Sequence, residues 1–281
     1  MPLKAKQRSA LKYPGAKAYL VPYILPLIPA HDVYVEPYCG GAALLLNKPR
    51  SPVEIINDLS HRITRFWRVL RDHPAELRLL LQLTPYSAVE FDDCDGVALE
   101  LDNGTEVNDI ENARRDYVRW RQSFGGAGKS FSETIHRVRG VTTDPEKIGF
   151  ADVVSGWLSS IDVELPKIAT RMRGVQIVNR DAIEVIEKWD GPNVFLYMDP
   201  PYCHAARVSP DVYEHEMTDD QHRELARVLH NCKGKVILSG YNCELYNQLF
   251  GDWQRIEIDM AMHAAGGGVK KRATEVLWKN F

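Results

Sequence analysis

The chain lacks any apolar run close to the roughly 20 residues that a membrane-spanning helix needs, so no transmembrane segment is expected. Its first residues, with Lys4, Lys6, Arg8, Lys12 and Lys17 and no acid before Asp32, lack the apolar core of a signal peptide, and an intracellular protein is expected. Cysteine is sparse. Cys39, Cys94, Cys203, Cys232 and Cys243 are odd in number and show no paired metal spacing, which argues for reduced thiols and against a disulfide framework or a zinc site. Excess charge of one sign is missing as well: 35 Lys+Arg against 38 Asp+Glu give a net charge of -3, so contact with a polyanion must come from a local patch. The dinucleotide fingerprint G-x-G-x-x-G, a P-loop frame, internal repeats and low-complexity tracts are also absent. What is there is 281 residues, 44% hydrophobic, enough for one large domain or one domain with a smaller lobe.

Val194-Phe195-Leu196-Tyr197-Met198 is a continuous apolar run, entered from Gly191-Pro192-Asn193 and left through Asp199-Pro200-Pro201-Tyr202. An apolar run of this length between turn signals predicts a strand buried on both faces, as in a parallel sheet. Pro200 and Pro201 have no amide hydrogen and fix their own φ angles, so the chain after Asp199 is stiff and cannot extend a sheet ladder. A carboxylate, free carbonyls and an aromatic face therefore share one rigid corner at the carboxyl end of a strand, where open α/β sheets hold ligands. Such a corner suits the exocyclic amine of a nucleobase, a poor nucleophile because its lone pair is delocalised into the ring. Two acceptors, the Asp199 carboxylate and the Pro200 carbonyl, can hold its hydrogens and favour a more pyramidal nitrogen. Tyr202 would stack on a base flipped out of its duplex.

Acids recur at the ends of other expected strands. Val33-Tyr34-Val35-Glu36 is followed by Pro37-Tyr38-Cys39-Gly40-Gly41 and a helical run from Ala42: strand, glycine loop, helix. The glycines permit close backbone approach to a ligand, and Glu36 suits an ammonium group. Val53-Glu54-Ile55-Ile56-Asn57-Asp58 is a second such strand, with Asp58 placed as Rossmann-like sites place a ribose-binding carboxylate. Val175-Gln176-Ile177-Val178-Asn179-Arg180-Asp181 is a third. Helix N-capping competes as the role of Asn57, Asp58 and Asp181.

Asp-Pro-Pro-Tyr is the signature of the amino-group DNA methyltransferases, and the chain resembles the Dam-type DNA adenine-N6 methyltransferases over nearly its whole length. The likeness is carried by Leu11-Lys12-Tyr13-Pro14-Gly15-Ala16-Lys17, Val35-Glu36-Pro37-Tyr38-Cys39-Gly40-Gly41, Asn57-Asp58, Ser123-Phe124-Gly125-Gly126, Asn179-Arg180-Asp181, Asp199 to Tyr202, and Glu275-Val276-Leu277-Trp278. It implies a Rossmann-like α/β sheet that binds S-adenosylmethionine and methylates N6 of a flipped adenine in double-stranded DNA. Carried over residue by residue, Asp199, Pro200, Pro201 and Tyr202 would be catalytic. Tyr13, Gly15 and Lys17 would lie over the cofactor, with Glu36, Pro37, Tyr38, Gly40 and Gly41 beneath it, Asp58 on its ribose, Asp181 on its adenine and Asp199 beside its methyl group.

Between Pro74 and Gly174 the alternation of strand and helix is lost, which predicts an inserted, mostly helical lobe. Phe91 to Asp109 is acidic, and Asn103-Gly104 between apolar alternations predicts a small β-hairpin there. The charge then reverses. Arg114, Arg121, Lys129, Arg137 and Arg139 surround the glycine-rich Ser123-Phe124-Gly125-Gly126, a stretch whose donors suit phosphates and whose aromatic could wedge into a base stack. These are the candidate DNA-binding residues, and they coincide with a DNA-contacting segment of the resembled family.

The expected architecture is thus a methyltransferase domain, 1–73 and 175–281, interrupted by a target-recognition lobe, 74–174, acting without a metal as a monomer or a dimer in the cytoplasm of a bacterial, archaeal or phage-infected cell. Three alternatives remain: another amine acceptor (cytosine N4, RNA or a protein glutamine), an NAD-linked oxidoreductase, and a non-catalytic DNA-binding or antirestriction protein that keeps the fold.

Overall fold

A computed structural model describes residues 9–11, 17–94, 106–132, 153–203, 215–261 and 272–281. Seven strands form one sheet: β1 (Val33–Glu36), β2 (Val53–Asn57), β3 (Gln176–Val178), β4 (Val194–Met198), β5 (Lys235–Tyr241), β6 (Gln254–Ala261) and β7 (Arg272–Lys279), in the order β3-β2-β1-β4-β5-β7-β6. The five strands from β3 to β5 run parallel; β7 is antiparallel to both β5 and β6. The chain builds outward from β1 in one direction and from β4 in the other, so the two are adjacent although well separated in sequence. A crevice opens where connections diverge in this way, at the carboxyl ends of the strands. The Rossmann-like α/β fold expected from the sequence is the one found.

β4 is buried along its length because both faces of the sheet are covered. Its side chains alternate: Phe195 and Tyr197 join one apolar cluster, Val194, Leu196 and Met198 the other. The first cluster takes Ile63, Phe66, Trp67 and Leu70 from the helix His61–Asp72; the second takes Val185 and Ile186 from Ala182–Trp189 and Leu225 and Leu229 from Asp219–His230. Each such side chain contributes roughly 1.5–3 kcal/mol on full burial, which holds the strand ends in a fixed mutual register.

The stretch 74–174 is helical where described: Pro74–Leu83, Ala88–Asp93, Glu106–Gln122, Val153–Ser159, a π-helical turn Ser160–Glu164, and Leu165–Met172. Except for Ala88–Asp93, these helices pack on the same cluster as the sheet face. Phe66 stacks on Tyr117 with ring centroids 5.6 Å apart, and Tyr117 meets Trp157 at 5.6 Å. A buried ion cluster adds to the join: Glu54 on β2 accepts from Lys48 at 2.7 Å and from Arg171 at 2.6 and 2.8 Å, while Arg50 donates to the carbonyls of Thr170, Arg171 and Arg173 at the end of the last helix. Glu106 and Val107, expected in the second strand of a hairpin, open a 17-residue helix instead. Ile110, Ala113, Tyr117 and Val118 continue at helical spacing behind them, and burial of that face prevails over the local alternation. The expected turn Asn103-Gly104 lies outside the described residues. Among the described residues, no helix is long and apolar enough to cross a membrane.

Candidate active site

The carboxyl ends of β1, β2 and β3 are joined by one side chain. Asn57, 1% exposed at the end of β2, donates to the carbonyls of Pro37 and Arg180 at 2.9 and 3.0 Å and accepts from the Arg180 amide at 2.9 Å. Asn179 returns the link by donating to the carbonyls of Asp58 and Leu59. The glycine loop after β1 is held at Gly40, whose amide donates to Asp58 Oδ2 at 2.9 Å and whose carbonyl accepts from Trp67 Nε1 at 2.9 Å. Gly40 has φ +43°, and Ala42, which opens the next helix, has φ +49°. A left-handed alanine costs roughly 1–2 kcal/mol, a strain that the surrounding packing and hydrogen bonds sustain.

Over these strand ends lies a cavity of about 190 Å³. Glu36, Asp58, Asp181 and Asp199 all reach its wall, together with Lys17 and the loop Pro37 to Gly41. Four carboxylates in one cavity repel one another and are costly to desolvate. Glu36 is 2% exposed; burial pushes its carboxyl up to about 8, against a hydrogen bond donated by Tyr34 at 2.8 Å. Asp199 is pushed up to about 6, again chiefly by burial, while the Lys17 ammonium and the Ser239 hydroxyl, which donates to Oδ1 at 2.8 Å, pull it down. Near neutral pH the cavity thus holds a protonated Glu36 that a cation would ionise, and an Asp199 that is mostly charged.

Asp58 uses Oδ1 to accept from the Ser60 amide and Oδ2 to accept from Gly40, so it shapes the loop as well as facing the cavity. Asp181 caps the helix Ala182–Trp189 by accepting from Ile183 at 2.8 Å while also lining the wall. Pro201 lines the cavity and Pro200 is buried. Tyr202 differs from the expectation of an open stacking face. It is 2% exposed, its hydroxyl donates to Glu275 Oε2 at 2.9 Å, and the Lys17 ammonium sits 3.8 Å from its ring centroid. Tyr13 and Gly15, expected over the cofactor, lie outside the described residues, as do Arg137 and Arg139.

The basic segment is arranged otherwise. Arg114, expected on phosphate, is drawn into the protein: it pairs with Glu111 at 2.7 Å and with Glu90, and it donates to Thr84 Oγ1. Ser123 is likewise 2% exposed and accepts from the Gly128 amide at 2.9 Å, so its hydroxyl closes the loop rather than reaching outward. Charge attraction to acids on the same and neighbouring helices outcompetes solvent for Arg114, and loop closure outcompetes it for Ser123. The loop itself is compact, with the Phe124 amide donating to the Ser130 carbonyl and Gly125, Gly126 and Gly128 all at positive φ. At its surface stand Gly125, Lys129 and Phe124, the last 65% exposed, while Gly126 is buried and Arg121 is half-buried 5.9 Å above the Tyr117 ring.

Sequence reasoning missed several residues beside Asp199. Ser239 ends the apolar run of β5, Tyr241 sets its ring edge-on to Tyr202 at 4.7 Å, and Glu275 is a buried acid in β7. Glu275 had a signal: an ionisable residue inside Val276-Leu277-Trp278's apolar strand is costly unless something pairs with it. Among the described residues, no group of three or more His, Cys, Asp or Glu side chains is placed to hold a metal ion.

The family model described as D12 class N6 adenine-specific DNA methyltransferase matches residues 13–141 and 155–263. No curated protein matches the chain.

Proposed function

The chain belongs to the D12 class N6 adenine-specific DNA methyltransferase family, enzymes that methylate adenine in DNA, and from that premise we propose that S-adenosylmethionine is the methyl donor and that the Asp199–Tyr202 turn receives the target adenine. One observation carries the reading. A single cavity joins Asp199, at the end of β4, to Glu36, Asp58 and Asp181 at the ends of the neighbouring strands. Those acceptors fit a ligand with an ammonium group, ribose hydroxyls and an adenine amine. When bound, S-adenosylmethionine supplies an electrophilic methyl carbon on a positively charged sulfur.

The residues divide the work. Glu36, at the end of β1, holds the ammonium, ionising as the cation arrives, because the attraction offsets the desolvation that keeps it protonated. Asp58 serves the ribose, and Asp181 accepts from the adenine amine of the donor. Lys17, Pro37, Tyr38 and the Gly40–Gly41 loop close around the ligand; the loop's backbone is held by Asp58 and Trp67 before anything binds. Asp199 and the Pro200 carbonyl accept the two N6 hydrogens of the target base. Positive charge grows on N6 in the transition state, so Asp199 acts where the charge develops, and a proton then leaves N6 for water.

The base must leave the duplex to reach this turn. Phe124, exposed on its compact loop, would fill or wedge the gap, and Lys129 and Arg121 would meet phosphates. The stretch 74–174, helical where described, serves as the target-recognition part, and duplex DNA is the substrate form.

The test is to incubate the chain with methyl-labelled S-adenosylmethionine and duplex DNA, digest the DNA and identify the labelled nucleoside by mass spectrometry. N6-methyl-2′-deoxyadenosine is expected. Label on cytosine in its place overturns the reading, as does label on RNA or protein, each supplied in a parallel incubation, with the DNA left unlabelled, and so does Asp199→Ala transferring methyl at a near-normal rate.

A further inference from the structure

β7 carries a carboxylate at the start of its buried segment, Glu275 to Trp278. Glu275 is 1% exposed, and Val276, Leu277 and Trp278 beside it are fully buried. Taking a carboxylate out of water costs several kcal/mol unless its oxygens are satisfied, and here three donors from two distant segments converge on it. The Tyr202 hydroxyl donates to Oε2 at 2.9 Å, the Tyr19 hydroxyl donates to Oε1, and Lys17 Nζ lies 3.6 Å from Oε1. The same ammonium rests 3.8 Å from the Tyr202 ring centroid, a cation–π distance. Lys17 and Tyr19 precede β1, Tyr202 follows β4, and Glu275 is the acceptor on which both segments meet.

Asp199 stands next to this group. The charged and titratable residues around it are Lys17 and Tyr19 before β1, Glu36 on β1, Tyr197 on β4, Tyr202 in the turn, Tyr241 on β5 and Glu275 on β7. Tyr246, on the helix after β5, feels the same carboxylate. Of these, Lys17 pulls the Asp199 carboxyl down and Glu275 pushes it up.

We infer that Glu275 is a positioning residue for methyl transfer: it anchors Tyr202 in the catalytic turn and holds the Lys17 ammonium where its charge is divided between the Glu275 and Asp199 carboxylates. This rests on the reading that Asp199 accepts the target amine. The role is not catalytic in the strict sense, since Glu275 reaches the reaction through Tyr202 and Lys17. The arrangement keeps Lys17 from pairing fully with Asp199, which would spend the carboxylate that the target amine needs. It also explains why a strand at the far side of β5 contributes to a site built on β1, β2 and β4.

The inference has a signature that structural support alone does not produce. Glu275→Gln keeps oxygen and nitrogen atoms where the two tyrosine hydroxyls and the lysine end, but removes the negative charge. Asp199 then loses a repulsive neighbour and gains a larger share of Lys17. Single-turnover methyl transfer by the full-length protein on duplex DNA, followed from pH 5 to 9, reads the result. Wild type should lose activity on the acid side near the Asp199 value of about 6. In Glu275→Gln that acid limb should move to lower pH by about one unit, and Lys17→Met should move it the opposite way. Plateau rates in Glu275→Gln should fall about tenfold, and Glu275→Ala, which also loses the anchor for Tyr202, should fall further. Thermal melts of each variant separate folding from rate. An acid limb that stays in place in both Glu275→Gln and Lys17→Met overturns the inference, as does a rate loss in Glu275→Gln that matches a fall in folded fraction. Wild-type transfer with no acid limb in this range instead overturns the role of Asp199, on which the inference stands.

Discussion

The strand ends and the basic loop segment both stood out in the sequence, one by acids and the other by arginines, and the folded chain uses them in opposite ways. Glu36, Asp58, Asp181 and Asp199 converge on a cavity, with two of them, Glu36 and Asp199, left in an environment that disfavours their charge. Arg114, by contrast, has its charge answered within the protein by Glu111 and Glu90, and the Arg119 guanidinium carbon lies 3.8 Å from the Phe91 ring centroid while Arg119 donates to the Phe91 and Gly128 carbonyls. The difference teaches that an acid at the end of a parallel strand has its direction set by the sheet, whereas an arginine on a helix has a long stem and takes the nearest carboxylate. Acids desolvated in a cavity point to a ligand; charge paired along a helix points to stability.

Four measurements sharpen or break that contrast. The largest effect is expected at the turn: Asp199→Ala should lower methyl transfer by at least about 10²–10³-fold, the cost of removing one group aimed at developing charge, with S-adenosylmethionine binding still measurable by calorimetry. A loss under tenfold would remove Asp199 from the chemistry.

Next is Arg114→Ala, which should lower stability by about 2 kcal/mol, less than a fully buried pair because the side chain is partly exposed. Its DNA affinity should keep the wild-type dependence on salt. A lowered salt slope with an unchanged melting temperature would return Arg114 to the DNA.

The third concerns Glu36 in the ligand-free protein. Its folded carboxyl titrates near 8 against an ordinary value of 4.5, so between those values the folded state holds a proton that the unfolded chain has released. That contribution to stability is fully present below the ordinary value and is lost as pH rises through about 8. The melting temperature should therefore fall from pH 5 to 8, and Glu36→Gln, which stays neutral, should flatten the fall and melt higher than wild type at pH 8. A wild-type profile without the decline would mean that the carboxyl is ionised throughout.

The smallest effect belongs to the exposed loop. Lys129→Ala should reduce the slope of log affinity against log salt by about one, as one phosphate contact is lost, with no change in melting temperature. An unchanged slope in filter-binding or anisotropy titrations would take Lys129 off the phosphate backbone.

Much of this architecture is legible in the chain. Val194 to Met198 had to be a central strand because an apolar run of that length, stopped by Pro200 and Pro201, has no other stable use. Thr218 and Gln221 form the capping box that opens Asp219–His230, a signal contained within four consecutive residues. The hairpin expectation failed at Glu106 and Val107, where a short alternation lost to the long apolar face of Glu106–Gln122. Glu275 had a visible anomaly but no visible partner, since Tyr19 and Tyr202 lie 256 and 73 residues away.

The residues themselves determined where strands begin and stop and which of them end in an acid, because periodicity, proline stiffness and glycine freedom act over a few neighbouring positions. Folding alone decided which charges are answered and by whom: that Lys17 meets both Tyr202 and Glu275, and that Arg114 turns inward. An ionic partner is chosen by distance in space and by the loss of water around it, and both exist only once the sheet has brought remote segments together.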